Sequence, residues 1–331
     1  ADVAWYARTV RVPEGWKGKR VFLVVGASDW RTSGWLDGEP IGAYQGGYTP
    51  FELDLTKAAK PGREQVLVLR VDDTPHPFKL EGKQGYGKAR GLWQTVYLEA
   101  RPAVHVEALE FHPAPALKRV EARVRLSSAA PQGAILELKV STGGPGDPSF
   151  SQAQAQALVA VGGREARLIL PLGERPRLWS LEDPFLYDAT LTLSAGGADD
   201  RVKSYFGLRK LGVERPPGLG HPYVSLNGKP VYLQMTLDQS WNPDGYWNWP
   251  TDEAMREEIL IARRLGLNAI RTHVKVEVPR KLYWADRLGV LVMADVPNSW
   301  GEPDEAMRKE WETALRGMVR RDFNHPSVFS W

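Results

Sequence analysis

Two stretches near the end of the chain share one plan. Ala262-Arg263-Arg264-Leu265-Gly266 runs into Leu267-Asn268-Ala269-Ile270-Arg271-Thr272-His273, and Ala285-Asp286-Arg287-Leu288-Gly289 runs into Val290-Leu291-Val292-Met293-Ala294-Asp295. Each closes a helix on Ala-x-Arg-Leu-Gly and hands over to an apolar run that finishes in polar residues. Met255, Ile259, Ala262 and Leu265 recur at helical spacing and predict one apolar face over residues 251–265. Thr251 is placed to cap that helix, and Asp252 and Glu253 suit its positive end. A second helix is expected over residues 279–288, with Gly266 and Gly289 in the left-handed conformation that ends a helix. The runs that follow are apolar on both faces, as strands of a helix-covered parallel sheet must be.

A third unit follows. Residues 304–323 carry Met307, Trp311, Leu315 and Met318 on one face, and residues 324–331 read as a turn and the start of another strand. With residues 231–237 as a first strand, four strands alternate with helices, half of what a closed (β/α)8 barrel requires. In a barrel, polar residues at strand C-termini read as active-site residues.

The preceding residues read as all-β. Over residues 1–101, strands are expected at 5–12, 20–27, 51–55, 65–72 and 93–99, with Asp37-Gly38 as a hairpin turn. Residues 78–90 are a polar, Gly-rich loop. Over residues 102–212, runs at 104–111, 119–126, 134–140, 167–170, 186–193 and 202–206 suit a second sandwich, with an exposed loop at 141–151. This second region shows no catalytic constellation and reads as a spacer. Asn227-Gly228 forms a hairpin leading into the last region.

Composition narrows the function. A net charge of +3 gives no basic field, so no nucleic-acid or membrane-surface partner is expected, and no apolar run of about 18 residues is present to span a bilayer. The first residues lack the build of a signal peptide, which favours a cytoplasmic location. There is no cysteine, which excludes thiol catalysis and disulfides, and the six scattered histidines show no paired ligand spacing, so no zinc site and no cofactor is expected. Thirteen tryptophans suit either sugar stacking or core packing, with about three quarters assigned to packing. The loop at 242–249, with Tyr246, Trp247 and Trp249, reads equally as a carbohydrate-lined rim or a hydrophobic lid.

Three sets of motifs together resemble glycoside hydrolase family 2, the β-galactosidase, β-glucuronidase and β-mannosidase family. Trp5-Tyr6-Ala7-Arg8, Gly46-Gly47-Tyr48-Thr49-Pro50-Phe51 and Gly91-Leu92-Trp93-Gln94 are similar to its jelly-roll sugar-binding domain. Leu178-Trp179-Ser180 and Pro184-Phe185-Leu186-Tyr187 resemble its immunoglobulin-like domain. Leu265 to Arg271 and Arg321 to Val328 resemble its catalytic barrel. The resemblance implies a jelly-roll β-sandwich (1–101), an immunoglobulin-like β-sandwich (102–212) and the first half of a TIM (β/α)8 barrel (213–331). It also implies retaining hydrolysis of a β-glycoside by two carboxylates about 5 Å apart. The acid/base would be the Glu of an Asn-Glu pair ending the fourth strand. No Asn-Glu dipeptide occurs here, so no catalytic residue is carried over and the chain alone is expected to be inactive.

The same resemblance implies a substrate-side set. Arg271 matches an arginine that keeps the nucleophile ionised. His273 and Lys275 depart from the more usual pattern at their positions. Asp238 serves either as a sugar ligand or as a structural cap. Asp295 orients substrate, binds a cation, or pairs with Arg271 or Lys275. Trp300 stacks on substrate or packs, and Glu302 is solvated. A carbohydrate substrate is the expected partner, and the open sheet edge at 328–331 makes homo-oligomerisation expected. The rival reading is a non-catalytic carbohydrate-binding protein using the jelly roll and aromatic loops.

Overall fold

The computed structural model describes residues 2–75, 80, 82, 90–142, 151–218, 220–298 and 302–331. The expected loops at 78–90 and 141–151 lie largely outside them, and Trp300 lies wholly outside.

Alternating branched residues build the β portion. Val3–Arg11, Glu64–Asp72, Arg31–Leu36 and Glu39–Gln45 form one antiparallel sheet in that spatial order. It faces a sheet of Phe51–Asp54, Arg20–Val25 and Val96–Arg101. Along Glu64–Asp72 every second residue is buried, and Val21, Leu23, Leu53, Leu67 and Leu69 meet between the sheets. Asp37 and Gly38 have φ of 52° and 84°, the paired left-handed values of the expected hairpin turn. The strand expected at 93–99 starts at Val96 instead, and Trp93 is a core residue donating to Gly47 O at 2.8 Å.

A second pair of sheets follows. Val106–Pro113, Arg119–Leu126 and Glu165–Pro171 form one sheet, and Ser151–Leu158, Ile135–Thr142, Tyr187–Ala195 and Ala198–Phe206 the other. Val120, Leu136, Leu138, Leu170 and Leu191 are fully buried between them. Ser151–Leu158 has no counterpart among the expected strands. Its Ser-Gln-Ala-Gln-Ala-Gln-Ala-Leu alternation is strict, but Ala carries neither the bulk nor the branching that marks a strand. Pairing to one side of Ile135–Thr142 makes it an edge strand, which needs no more.

After the Asn227-Gly228 turn the architecture changes. Met235–Asp238, Ala269–Thr272, Leu291–Ala294 and Val328–Ser330 form a parallel sheet in chain order. Three helices alternate with these strands: α1 (Asp252–Arg264), α2 (Pro279–Leu288) and α3 (Glu305–Asp322). The Thr251 hydroxyl accepts from Ala254 N at 3.1 Å, as the cap requires. Gly289 has φ of 69°, and a Cβ there would lie 2.4 Å from Leu181 O, so glycine is needed for conformation and for space.

Two expectations need correction. The first parallel strand begins at Met235, not 231. Val231 N still bonds Val224 O in the hairpin, and the Asn268 side chain, bonded to Tyr232 O and Gln234 N, takes up the groups a neighbouring strand would use. The apolar helix faces are also narrower than their periodicity suggested. Leu265 is 71% and Trp311 41% exposed, because Leu265 is already the C-cap and Ala314 takes the buried position in α3.

The core does not stop at the boundary between sheets and helices. Trp247, 2% exposed, stacks on Tyr48 at 5.9 Å and meets Trp93 edge-on at 5.6 Å, in one cluster with Ile259, Ile270 and Leu282. That settles the 242–249 loop for Trp247, which packs, whereas Tyr246 is 60% exposed. Among the described tryptophans only Trp5, Trp311 and Trp331 are exposed. No helix is long and apolar enough to cross a membrane among the described residues.

Candidate functional site

Parallel pairing aligns the C-terminal ends of the strands, so Asp238, Arg271–Thr272 and Asp295 gather on one rim. Arg271 and Asp295 sit one strand apart and pair through both carboxylate oxygens. Arg271 Nε lies 3.0 and 3.1 Å from Oδ1 and Oδ2, and Nη2 2.9 Å from Oδ2. This bidentate geometry is the strong form of a charge-assisted bond. It holds the guanidinium charged, its pKa shifted upward by the Asp295 bond, while leaving the Arg271 side chain 44% exposed. Of the roles open to Asp295, pairing with Arg271 is the one this geometry fits.

The loops after the first two strands are bent sharply at the same rim. Ser240 and Val274 adopt φ of 51° and 45°, an uncommon conformation that is costly for a β-branched valine. Asp295 Oδ2 accepts from Val274 N at 3.2 Å and Asp238 Oδ1 from Ser240 N at 2.7 Å, so the two rim carboxylates brace the two bends. His273 follows Thr272, donates from Nδ1 to Gln239 Oε1 at 3.2 Å, and is half-buried.

Lys275 is not on this rim. It is 1% exposed, 3.0 Å from Glu277, and donates to Ser240 O at 3.0 Å, beneath the loop rather than facing a ligand. Its expected place as a substrate group is corrected accordingly: the Val274 bend turns the chain inward. There it joins a cluster missing from the expected set. Lys281, 1% exposed, contacts Asp238, lies 2.5 Å from Glu258 and 3.5 Å from Glu277, and sits 4.3 Å from the Trp249 ring. Burial alone would neutralise Lys281, but Asp238, Glu277 and Glu258 outweigh it and hold its pKa above the lysine range. Burial dominates at Lys275, whose pKa falls, and at Glu258, whose pKa rises. For Glu277 the two lysines and the Val278 amide prevail over burial and hold it low. Asp238 is thus tied down from below and braces a loop, closer to a structural than a free ligand role. The sequence carried one signal of this: Lys281 and Asp286 fall on the face of α2 that also holds Leu282 and Ala285.

Glu302 is exposed, as expected, and no cluster of three His, Cys, Asp or Glu side chains able to hold a metal ion occurs among the described residues. A groove of about 950 Å³ opens on the flank, lined by Tyr97, Tyr205, Arg280 and Tyr283, and none of the rim residues borders it.

A second buried polar group lies at the opposite end of the strands. Asp286 accepts from Tyr205 OH at 2.8 Å and Ser327 N at 2.9 Å and pairs with His325 Nδ1 at 2.5 Å. Burial would lower the His325 pKa, but Asp286, with Asp322 behind it, raises it despite opposition from Arg321. A histidine raised in the fold lends stability that is full below its unfolded pKa of about 6.5 and is lost as pH rises through the folded value. Unfolding free energy is therefore expected to decline above about pH 6.5, and His325→Gln to flatten that slope, measured by urea denaturation between pH 5.5 and 9. An unchanged slope would remove His325 from the account.

The fold and rim define a class: an α/β layer with strand-end polar residues, carried on paired β-sheets. Solved structures share it along nearly the whole chain. A β-glucuronidase of Parabacteroides merdae superposes with a TM-score of 0.81 at 20% identity, over 98% of this chain and 42% of that one. One from Ruminococcus gnavus, in complex with D-glucuronic acid, does so at 0.81 and 20%, over 100% and 57%. Family models described as "Glycosyl hydrolases family 2, sugar binding domain" and "Glycosyl hydrolases family 2" match residues 1–102 and 104–209. The chain belongs to glycosyl hydrolase family 2. Among curated relatives, a β-galactosidase of Thermoanaerobacter pseudethanolicus is 24% identical over 99% of this chain and 44% of its own length. A β-glucuronidase of Bacteroides fragilis is 24% identical over 98% and 49%. The chain thus spans less than half the length of these two relatives.

Proposed function

We infer that these residues are the N-terminal part of a retaining β-glycosidase acting on β-linked sugars of the galactoside or glucuronide type. The observation that carries this reading is the order of the two family matches over residues 1–102 and 104–209, with relatives aligned along 98–99% of the chain. In this reading residues 1–101 are a jelly roll, 102–212 an immunoglobulin-like sandwich and 213–331 the first half of a (β/α)8 barrel. Arg271, His273 and Asp295 form the substrate side of the pocket, and Asp238 braces the loop beside them.

The chemistry follows from what the rim offers. Asp238 and Asp295 are both engaged by cations, so neither is free to act as a proton donor or nucleophile. The chain has no Asn-Glu pair, so the reading places both reacting carboxylates elsewhere in a longer protein. Arg271 supplies a fixed positive charge beside the reacting centre, where it favours an ionised carboxylate.

Aryl β-galactosides and aryl β-glucuronides test this. The full-length gene product is expected to hydrolyse one of them with retention, and residues 1–331 alone to give only background. In the full-length protein, Arg271→Met is expected to lower kcat/KM on the order of tenfold or more, the worth of one charged bond. Turnover by residues 1–331, or inversion by the full-length protein, would overturn the assignment.

A further inference from the structure

The flank groove of about 950 Å³ lies where the three parts of the chain meet. Gln94 and Tyr97 come from the first pair of sheets, Tyr205 from the second, and Arg280, Tyr283 and Arg321 from the helices of the parallel layer. Its volume is that of a small-molecule site. The two arginines stand in the same posture. Arg280 gives Nε and Nη2 to Asp252 at 2.6 and 2.8 Å. Arg321 gives Nε and Nη2 to Asp322 at 2.6 and 2.8 Å, and its Nη2 also donates to Glu277 O at 2.6 Å. Each guanidinium is fixed by one edge and keeps Nη1 without a hydrogen-bond partner among the described residues. At Arg321, whose side chain is 10% exposed, that Nη1 is buried. Gln94 Nε2 is a second buried donor of the groove without a partner.

The acceptors, by contrast, are taken. The groove's carboxylate, Asp252, is held by Arg280 and by the Trp284 indole at 2.8 Å, and Asn248 Oδ1 accepts from Trp249 N at 2.9 Å. The start of α2 opens on the same space: Val278, Pro279 and Arg280 line it, and no side chain caps the helix. Buried donors are rarely left unpaired, so donors gathered around a cavity mark a place for an acceptor. Two arginines and a helix start make that acceptor a negative one. Val24, Met255 and the Tyr283 ring, on which Arg280 stacks at 4.4 Å, give the rest of the wall an apolar character. We propose that this groove is a second ligand site, taking a carboxylate or phosphate carried on an apolar body about the size of one ring.

Charge decides between occupants. An uncharged ligand of the same shape would leave the buried edge of Arg321 unpaired, whereas an anion pairs it in a place that Asp322 and Glu277 O have already fixed. None of the rim residues borders the groove, so the inference does not use the glycosidase reading. Since the walls come from all three parts of the chain, a bound anion should also raise the unfolding temperature.

The test is isothermal titration calorimetry of the 331-residue chain with phenyl phosphate and benzoate, beside benzyl alcohol as the uncharged body. At least one of the two anions is expected to bind, about tenfold or more tighter than benzyl alcohol, as bonds to a charged group do. The tighter of the two assigns the head as phosphate or carboxylate. Gln94→Leu, which keeps the volume and removes a donor, and Arg280→Met should each weaken that binding about tenfold. Arg271→Met, on the rim, should leave it unchanged. Circular dichroism checks the fold of each variant, and Gln94→Leu, which breaks no ion pair, decides the matter where Arg280→Met does not fold. Absence of binding by both anions at millimolar concentration overturns the proposal. So does equal binding of benzyl alcohol, undiminished binding by either folded groove variant, or loss of binding with Arg271→Met, which would place the anion at the rim.

Discussion

Lys281→Met is expected to cost about 3–5 kcal/mol of stability, the usual penalty for leaving buried carboxylates without their cation. The lysine is 1% exposed and stands against Asp238, Glu277 and Glu258 at once. Methionine fills similar volume, so the loss is electrostatic rather than steric. Lys275 remains beside Glu277, but no cation would remain against Asp238 or Glu258 among the described contacts. Two further results separate this from a packing defect. Lys281→Met with Glu277→Gln should recover part of the loss, since the partners couple. The single variant should also gain stability as pH falls. Without the lysine, burial raises the pKa of the carboxylates in the fold, so the folded state binds more protons than the unfolded one. An unfolding free energy within about 0.5 kcal/mol of wild type would mean that the cluster contributes nothing net.

Trp179→Ala should be comparably severe, about 3–5 kcal/mol, from the cavity left by a large buried ring. Trp179 is 0% exposed and joins Leu186 and Leu226 to Ala269 and Leu291, at the start of two parallel strands. Its indole N–H donates to Asp286 O at 2.8 Å, its backbone N–H to Leu208 O at 2.9 Å, and its carbonyl accepts from Asn227 at 3.0 Å. Trp179 is therefore a central side chain of the junction between the second pair of sheets and the parallel layer. The expected signature is loss of cooperativity as well as stability. Tryptophan fluorescence and far-ultraviolet circular dichroism, coincident in the wild type, should give separate unfolding transitions in the variant. Coincident curves would show that the other contacts, among them Tyr205 with Asp286, carry the junction alone.

Much of the architecture was legible because local rules and global fold agree. Thr251, Gly266 and Gly289 punctuate helices where caps and left-handed turns require. Asp37-Gly38 and Asn227-Gly228 form their turns for the same reason. The readings that failed lacked a local signal. Ser151–Leu158 is a strand by pairing, not propensity, and Leu265 left the apolar face because the helix had already ended.

The rim was legible less evenly. Asp238, Arg271 and Asp295 could be placed at strand ends from the order of helix, glycine and apolar run. Lys275 could not be separated from them, because one residue with positive φ, Val274, decides whether the side chain that follows faces the rim or the interior. Period and propensity are properties of neighbours along the chain, and by themselves they determined most of the strands, the helices and the parallel order. Whether a charge is buried depends on groups far apart in sequence. Only the tertiary structure brought Glu258 and Asp238 to Lys281, and Asp295 to Arg271, since Coulomb energy follows distance in space and not distance along the chain.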